Sequence, residues 1–311
     1  MMSSNPTSHF VNIPNRPIVQ ENGKISQSPL KLHYWEWKGH EPTILICHAA
    51  SFHGRCYDRI INEALHGFHV IALDLRGHGR SQTHPPPYHV RWLGEDVLQF
   101  IETLNLNKDN LIGIGHSIGG YVLTYAAAIA PTRLFRSLLL FDPGIISHSL
   151  YGIGDKRHDS LEHILRRKDQ WLSVEDMIER LEKREPFSRW PKDIVRNYCT
   201  YALDESSKLT CTADGEHSLY QSSLQTYSNI YPFIEQSKFI KDIPIHIVRS
   251  SLPLSVGQFD TSPTAPDLVK WFKKGRDTYI KHVTHLFPME QPELTAKFVK
   301  EMIKENIHSQ L

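Results

Sequence analysis

Short apolar runs along the chain alternate with segments that have the composition and period of helices. The apolar runs lie at 43–47, 69–74, 111–114 and 135–141. Runs of this kind are typical of strands buried on both faces of a parallel sheet. The helical segments between them lie at 55–65, 92–104 and 121–130. This strict alternation predicts an α/β fold with a doubly wound, mostly parallel sheet.

The N-terminal region precedes this alternation. Residues 16–20 and 30–38 are predicted to form two strands of a hairpin, because Asn22-Gly23 between them is a strong turn signal. Residues 1–15 are predicted to form a disordered or loosely draped arm. The sheet is therefore expected to begin at about residue 16.

The alternation stops in the middle of the chain and then resumes. Residues 145–238 are charged and helical, with helix starts indicated at Ser173 and Pro191. The pattern resumes with a strand at 243–250, a helix at 267–274, a strand at 278–283 and a helix at 292–306. We therefore expect a core formed by residues 1–144 and 239–311, with residues 145–238 inserted as a helical lid. Such a lid would lie over the carboxyl ends of the strands, where open α/β sheets bind ligands.

The segment from Leu111 to Ala130 contains Gly115-His116-Ser117-Ile118-Gly119 between a predicted strand and a predicted helix. This pattern is typical of a nucleophile elbow, a strained turn that presents the hydroxyl of Ser117 above the sheet. Gly115 and Gly119 are expected because a side chain at either position would collide with the neighbouring element. The segment is uncharged and has the length of a membrane span, but its glycines, its tyrosines and His116 favour a buried strand and helix.

A serine at such a turn requires a base and a third group that orients the base. His285 is the preferred base, because it lies in the loop just after the last predicted strand. His282 is the rival, and it is expected to lie within that strand. The acid is left between Asp142, at the end of the strand after the elbow helix, and Asp260, beyond the next strand. We prefer Asp142 and set aside Asp267 as a helix cap.

Two backbone N–H groups are needed for the oxyanion that forms when the serine attacks. One is the N–H of Ile118, and the other is expected to be that of Ala50, with Ala49 as the less favoured choice. Phe187 and Trp190 in the insertion are predicted to line a substrate pocket, although aromatic residues at this spacing also form the core of a lid.

Net charge and composition limit the classes of partner that the chain is expected to bind. The chain has 311 residues and a net charge of +1, which gives no argument for binding nucleic acid or an anionic membrane. It has 19 histidines but no His-Glu-x-x-His or Cys-x-x-Cys motif, so we expect no bound metal. The expected partner is a small-molecule substrate, and the oligomeric state is left open.

An intracellular location is expected from the cysteines and the two ends of the chain. The four cysteines, at 47, 56, 199 and 211, are few and widely spaced, and the N-terminus lacks the apolar core of a secretion signal. The tail Ser309-Gln310-Leu311 differs by one residue from the peroxisomal signal Ser-Lys-Leu. The location is therefore expected to be cytoplasmic or peroxisomal.

Four motifs together resemble those of the α/β-hydrolase superfamily over residues 30–305. They are His48-Ala49-Ala50, Asp74-Leu75-Arg76-Gly77-His78-Gly79-Arg80-Ser81, the elbow at 115–119, and His285-x-x-Pro288-x-Glu290-x-Pro292. Within the insertion, the stretches 166–171, 186–190 and 208–211 resemble a largely fungal group that includes peroxisomal lipase-like and toxin-biosynthesis hydrolases.

The sequence departs from the superfamily pattern at two places. Ala49 stands where a glycine usually follows the first histidine. The usual Gly-x-x-Asp after the sixth parallel strand is replaced by Ser250-Ser251-Leu252-Pro253, which favours Asp142 as the acid.

The resemblance implies a cofactor-free serine hydrolase that cleaves an ester, a thioester or a lactone of a small hydrophobic substrate. A C–C bond hydrolase or lyase with the same three residues is the first alternative. A non-catalytic ligand receptor on the same scaffold is the second.

Overall fold

A computed structural model of the chain describes residues 5–106, 110–152, 161–250 and 261–308. Asp260 and the tail at 309–311 therefore lie outside the described residues.

One sheet organises the described part of the chain. Its eight strands are β1 (Thr7–Val19), β2 (Ile25–Trp37), β3 (His40–Cys47), β4 (Phe68–Asp74), β5 (Leu111–His116), β6 (Ser137–Phe141), β7 (Ile245–Ser250) and β8 (Gly275–Ile280). Their order in the sheet is β1-β2-β4-β3-β5-β6-β7-β8. β2 pairs antiparallel with β1 and β4, whereas the pairs from β4 through β8 are parallel. The predicted mostly parallel α/β sheet is thereby confirmed.

The helices lie on both faces of this sheet and in the segment between β6 and β7. They are α1 (Asp58–Ala64), α2 (Val90–Thr103), α3 (Ile118–Ile129), α4 (Glu162–Leu165), α5 (Val174–Leu181), α6 (Lys192–Ala202), α7 (Ala213–Ser223), α8 (Tyr231–Gln236), α9 (Phe287–Glu290) and α10 (Pro292–His308). α4 to α8 fall between β6 and β7, in the region where the sequence predicts helices.

Two apolar cores lie on the two faces of the sheet, and each contains side chains from a different set of helices. α2, α3 and α8 contribute to the core on one face of the sheet, and α1, α6 and α10 contribute to the core on the other. α3 is buried over nearly its whole length, because it packs centrally on the sheet. The uncharged segment at 111–130 is thus divided between β5 and α3, as predicted. Among the described residues, none of the helices is both long and apolar enough to cross a membrane.

The prediction of a loose N-terminal arm is wrong. Residues from Thr7 onward form β1, which pairs with β2 along its length and is irregular between Ile13 and Arg16. This irregularity accommodates Pro14, because a proline cannot donate the main-chain hydrogen bond of a regular ladder. Arg16 then joins β1 to α2 through the Asp96 carboxylate, with 2.6 Å between Nε and Oδ1. The predicted hairpin around Asn22-Gly23 is confirmed.

Two predictions near the C-terminus also need correction. The helix predicted at 267–274 is a short 3₁₀ turn, Leu268–Trp271, and the last strand ends at Ile280 instead of residue 283. His282 therefore lies after the strand, exposed and with a left-handed φ of 63°. It does not pack within the sheet.

Candidate active site

Ser117 lies at the junction of β5 and α3. Its backbone has φ 55° and ψ −119°, a region that residues with a side chain rarely adopt. Such strain is characteristic of functional turns and costs about 1–3 kcal/mol, which the surrounding structure must supply. The turn is fixed by the N–H of Ser117, which donates to the Phe141 carbonyl at 3.0 Å, and by the Ser117 carbonyl, which accepts from the N–H of Gly144 at 2.8 Å.

The two glycines of the motif allow this turn because the chain passes too close for a side chain. A Cβ at Gly119 would lie 2.0 Å from the carbonyl oxygen of Cys47 in β3. A Cβ at Gly115 would lie 2.7 Å from the backbone of Gly119. Both contacts are far shorter than a van der Waals separation, so the motif requires glycine at these positions for steric reasons.

The structure brings Ser117, His285 and Asp142 together. The Nε2 atom of His285 is 2.9 Å from Oγ of Ser117, and its Nδ1 atom is 2.9 Å from Oδ2 of Asp142. Because a carboxylate accepts hydrogen bonds, Nδ1 carries the proton and Nε2 presents its lone pair to the serine hydroxyl. His285 lies in the loop between β8 and α9, which reaches across to the elbow.

Asp142 is fully buried and lies just after β6, where its own φ is 44°. Burial works to raise the pKa of this carboxyl, but the hydrogen bond and charge of His285 hold the pKa below its ordinary value. The hydroxyls of Ser250 and Ser262 act in the same direction. The carboxylate is therefore charged at neutral pH although water does not reach it.

The hydroxyls around Asp142 are functional contacts that the sequence did not predict. Ser250 donates to Oδ2 at 2.6 Å and Ser262 donates to Oδ1. The single hydroxyl proton of Thr264 is shared between Oδ1 at 3.1 Å and the Pro143 carbonyl at 2.8 Å. Ser250 stands at the start of the sequence that replaces the superfamily's Gly-x-x-Asp. The departure was visible in the sequence, but its effect, a hydroxyl that binds the acid of the preceding strand, was not.

His116, the residue before Ser117, joins the loop that carries His285 to the loop after β3, where Ala49 and Ala50 lie. Its Nε2 atom lies 3.0 Å from the carbonyl oxygen of His285 and its Nδ1 atom lies 2.9 Å from the hydroxyl of Tyr57. The N–H of Ala49 donates to the same hydroxyl at 3.3 Å. Because a carbonyl can only accept, Nε2 of His116 must carry the proton, and Tyr57 then donates to Nδ1.

Burial together with the neighbouring His285 lowers the pKa of His116 to about 3. The ring is therefore neutral at physiological pH, as this directional chain of hydrogen bonds requires. The sequence gave no signal for the chain, because Tyr57 and His116 lie 59 residues apart.

The loop after β3 holds the other expected oxyanion donors. Ala50 and Ile118 are both about 5% exposed. His48 fixes the loop, because its Nε2 atom accepts from the N–H of Leu75 at 2.9 Å and its Nδ1 atom donates to the Ala49 carbonyl at 2.7 Å. The N–H of Ala49 already donates to the Tyr57 hydroxyl. The next residue is Ala50, whose N–H is the preferred of the two predicted donors in this loop.

Phe187 and Trp190 belong to an aromatic cluster that also includes Phe52 and Tyr198. The Trp190 ring lies 5.4 Å from the ring of Phe52 and 4.7 Å from that of Phe187. Trp190 is buried, whereas Phe187 is half-buried. The Phe52 ring is in turn 6.0 Å from that of His116. Phe52 thus connects the aromatic cluster to His116, whose hydrogen bond to the His285 carbonyl holds the loop of the candidate base.

The remaining predicted features are the alternative acid, the expectation of no metal, and the cysteines. Asp260, the alternative acid, lies outside the described residues. In the described ranges, no group of three or more His, Cys, Asp or Glu side chains is arranged to hold a metal ion. The four cysteines are free thiols and are buried.

The comparisons with known proteins agree with this architecture. Residues 44–298 match the family model described as the alpha/beta hydrolase family. The type I acyl-CoA thioesterase mpaH of Penicillium brevicompactum is 29% identical over 194 residues, covering 56% of this chain and 43% of that protein. The monoacylglycerol lipase ABHD6 of Mus musculus is 25% identical over 142 residues, covering 37% of this chain and 42% of that protein. The matches thus span about two fifths of the length of these relatives.

A solved structure matches over nearly the whole chain. The peroxisomal alpha-beta-hydrolase Lpx1 from Saccharomyces cerevisiae has a TM-score of 0.75, with 15% identity over 99% of this chain and 91% of that one. Identity at this level shows a shared fold alone. The family match confirms the predicted resemblance to the α/β hydrolases, and a Penicillium protein and a yeast protein are among the matches.

Proposed function

The chain belongs to the alpha/beta hydrolase family, and from that premise we propose that it is a serine hydrolase that works through an acyl-enzyme on Ser117. The observation that carries the proposal is the position of His285, with one ring nitrogen 2.9 Å from the Ser117 hydroxyl and the other 2.9 Å from the Asp142 carboxylate. This is the geometry that a serine needs to lose its proton as it attacks a carbonyl.

In the proposed mechanism, Oγ of Ser117 forms a bond to the substrate carbonyl carbon while its proton passes to Nε2 of His285. Asp142 orients the imidazole and stabilises its charged form. The same proton then goes to the leaving group as its bond to the carbonyl carbon breaks. A water molecule, deprotonated by His285, finally attacks the acyl carbon, and the proton passes from His285 to Oγ of Ser117 as the bond between Oγ and the acyl group breaks.

The N–H groups of Ile118 and Ala50 are proposed to stabilise the negative oxygen of each tetrahedral intermediate. Ile118 is the first residue of α3, so the positive end of the helix dipole adds to its donor. Ala50 is favoured over Ala49 because Tyr57 already accepts the N–H of Ala49. A pair of such donors is worth several kcal/mol in reactions of this class.

The proposed substrate is an ester, thioester or lactone with a small hydrophobic acyl part. The aromatic cluster of Phe52, Phe187, Trp190 and Tyr198 supports an apolar acyl group, because the Phe52 ring of this cluster lies 6.0 Å from the ring of His116 at the elbow. The names of the thioesterase and lipase relatives are compatible with this class of bond. Residues 145–238 are proposed to act as the lid that carries Phe187 and Trp190 over the site.

The location is proposed to be intracellular. Cys47, Cys56, Cys199 and Cys211 are all free and buried, and burial raises the pKa of Cys211 to about 12. Cysteines that form no disulfide are typical of proteins inside cells.

The experiment that tests the proposal measures hydrolysis of 4-nitrophenyl esters of graded chain length and of a matched series of acyl thioesters. Wild type is compared with Ser117→Ala and with Ser137→Ala, which removes a buried hydroxyl at the first residue of β6, the end opposite to Asp142. We expect activity in wild type and in Ser137→Ala and a loss of at least about a thousandfold in Ser117→Ala. Equal rates for wild type and Ser117→Ala would contradict the proposal.

Product analysis separates the proposal from its two alternatives. An acyl-enzyme yields the carboxylic acid and the alcohol or thiol, whereas a lyase leaves no acid and a C–C hydrolase acts on carbon–carbon bonds of diketones. A receptor would bind substrate analogues tightly and turn over none of these compounds.

A further inference from the structure

A second serine, histidine and aspartate are aligned at the antiparallel end of the sheet, away from Ser117. Oγ of Ser8 lies 2.8 Å from Nε2 of His33, and Nδ1 of His33 lies 2.7 Å from Oδ2 of Asp74. The corresponding distances at Ser117 are both 2.9 Å. The two sites therefore share the same order of atoms from hydroxyl to imidazole to carboxylate.

The register of three strands produces this alignment. His33 in β2 pairs directly with Asp74 at the end of β4, and it also pairs with Phe10 in β1. Ser8 is two residues from Phe10, so its side chain emerges on the same face of β1 as that of Phe10. The serine thus lies diagonally across from His33, within reach of its ring.

His33 and Asp74 are almost completely buried, whereas Ser8 is exposed. Because Asp74 can only accept, the proton of His33 lies on Nδ1, and Nε2 turns its lone pair toward the Ser8 hydroxyl. Asp74 is itself held by the N–H groups of Gly54 at 2.8 Å and Arg80 at 3.1 Å. The base is therefore fixed in the protein interior and directed at a hydroxyl that solvent can reach.

A cation completes the arrangement. Nη1 of Arg80 lies 3.4 Å from Oγ of Ser8, and its guanidinium packs 4.7 Å from the centre of the Trp35 ring. Trp35 is the register partner of Ser8. Arg80 is thus placed where it can stabilise negative charge that develops on an electrophile bound at Ser8.

We propose that Ser8 is a second nucleophile, an acceptor of acyl groups from activated esters and thioesters, with His33 as its base. Oγ of Ser8 bonds to the carbonyl carbon, the hydroxyl proton passes to Nε2 of His33, and the carbon–oxygen or carbon–sulfur bond to the leaving group breaks. The leaving group departs as an anion, and the imidazolium releases its proton to water. Ser8 lies within a strand, so it lacks the N–H donors of a helix start that would assist hydrolysis of an ester. We therefore expect the acyl-Ser8 ester to persist.

The test uses the full-length Ser117→Ala protein, so that its outcome is independent of the function proposed for Ser117. The protein is treated with 4-nitrophenyl acetate, and acetylated serines are located and timed by peptide mass spectrometry. Ser206 is the internal control, because it is exposed and its hydroxyl bonds a carboxylate, that of Asp204 at 2.7 Å, instead of an imidazole. We expect Ser8 to be acetylated at least about tenfold faster than Ser206.

Two variants in the same background identify the base. Ser8→Ala removes the adduct, and His33→Gln, with folding checked by circular dichroism, slows acetylation of Ser8 to the rate of Ser206. Equal rates at Ser8 and Ser206, a comparison that needs no variant at His33, would overturn the proposal. Undiminished acetylation of Ser8 in folded His33→Gln would overturn it as well.

Discussion

A carboxylate buried as fully as Asp142 remains charged only where hydrogen bonds and a cation replace the water that it has lost. Ser250, Ser262 and Thr264 supply those hydrogen bonds, and His285 supplies the cation when it is protonated. In the proposed mechanism, the charge of Asp142 favours the imidazolium that forms when Ser117 attacks. The proposal of Asp142 as the acid therefore rests on its surroundings as much as on its place after β6.

We predict that Asp142→Asn lowers kcat by about a thousandfold to ten-thousandfold. An amide N–H facing His285 would force the proton of the ring onto Nε2, where it cannot accept the hydroxyl proton of Ser117. Steady-state hydrolysis of a 4-nitrophenyl ester measures the effect, with thermal unfolding as a check on folding. Asp260→Asn is the matched variant, and a larger loss there than in Asp142→Asn would reverse the assignment.

His116 and Tyr57 are predicted to position the histidine loop without contacting substrate. Tyr57→Phe breaks the chain of hydrogen bonds from Ala49 to the His285 carbonyl, so we expect kcat to fall about tenfold while KM is unchanged. Tyr121→Phe is the control, because it removes a buried hydroxyl that donates to the Ser228 carbonyl at 2.8 Å.

Rescue distinguishes positioning from simple stability. His116→Gln keeps one donor and one acceptor and should retain most of the activity, whereas His116→Leu keeps neither and should resemble Tyr57→Phe. Equal activity in the glutamine and leucine variants would show that the hydrogen bonds of His116 do not contribute to catalytic activity.

At the scale of elements, the elbow depends on how closely α3 approaches β3. We predict that Gly119→Ala destabilises the fold by at least about 3 kcal/mol, because the new Cβ would lie 2.0 Å from the Cys47 carbonyl oxygen. Urea denaturation measures the change. Gly144→Ala, whose Cβ would meet its nearest neighbours at 3.5 Å, should cost much less. Similar losses in the two variants would contradict this explanation.

The elements differ in how well the sequence predicted them. β3 to β6 and α3 are strongly apolar and buried, so their composition was enough to place them. The part of β1 before residue 16 was missed because Pro14 interrupts its pattern, and its pairing with β2 and the contact of Arg16 with Asp96 compensate for the lost backbone bonds. A helix was predicted at 267–274, where the structure has only a short turn at 268–271. The segment has the composition of a helix but too few residues to continue one.

The contacts around the site were beyond the reach of sequence patterns for a different reason. Ser117 and His285 could be predicted because each occupies a recognisable motif. The bonds of Asp142 to Ser250 and Thr264 join residues separated by 108 and 122 positions. Such contacts depend on how β6, β7 and the following loop meet, which local propensity does not encode.

For the molecule as a whole, buried neutral histidines predict loss of stability in mild acid. Burial is the main cause that lowers the pKa of His48 and of His116 to about 3, against about 6.5 in the unfolded chain. As pH falls from about 6.5, the unfolded state takes up protons that the native state does not, so the free energy of unfolding decreases. The slope approaches about 1.4 kcal/mol per pH unit for each of these histidines.

Urea denaturation between about pH 7 and about pH 4.5 tests this dependence. The carboxyls with lowered pKa, Asp74 and Asp142, lose their stabilising effect only below about pH 3.8, outside that window. His246→Gln should flatten the slope without affecting activity, because burial lowers the pKa of His246 to about 4 at a position remote from Ser117. A free energy of unfolding that does not change across the window would contradict the prediction.

The central claim is that an acyl group is carried by Ser117 during turnover. Rapid acid quench during the first turnover of a 4-nitrophenyl ester, followed by peptide mass spectrometry, tests it most directly. We expect an acyl group on Ser117 that forms with the burst of nitrophenolate and is absent from Ser117→Ala. Turnover at the wild-type rate with Ser117 unmodified throughout would contradict it.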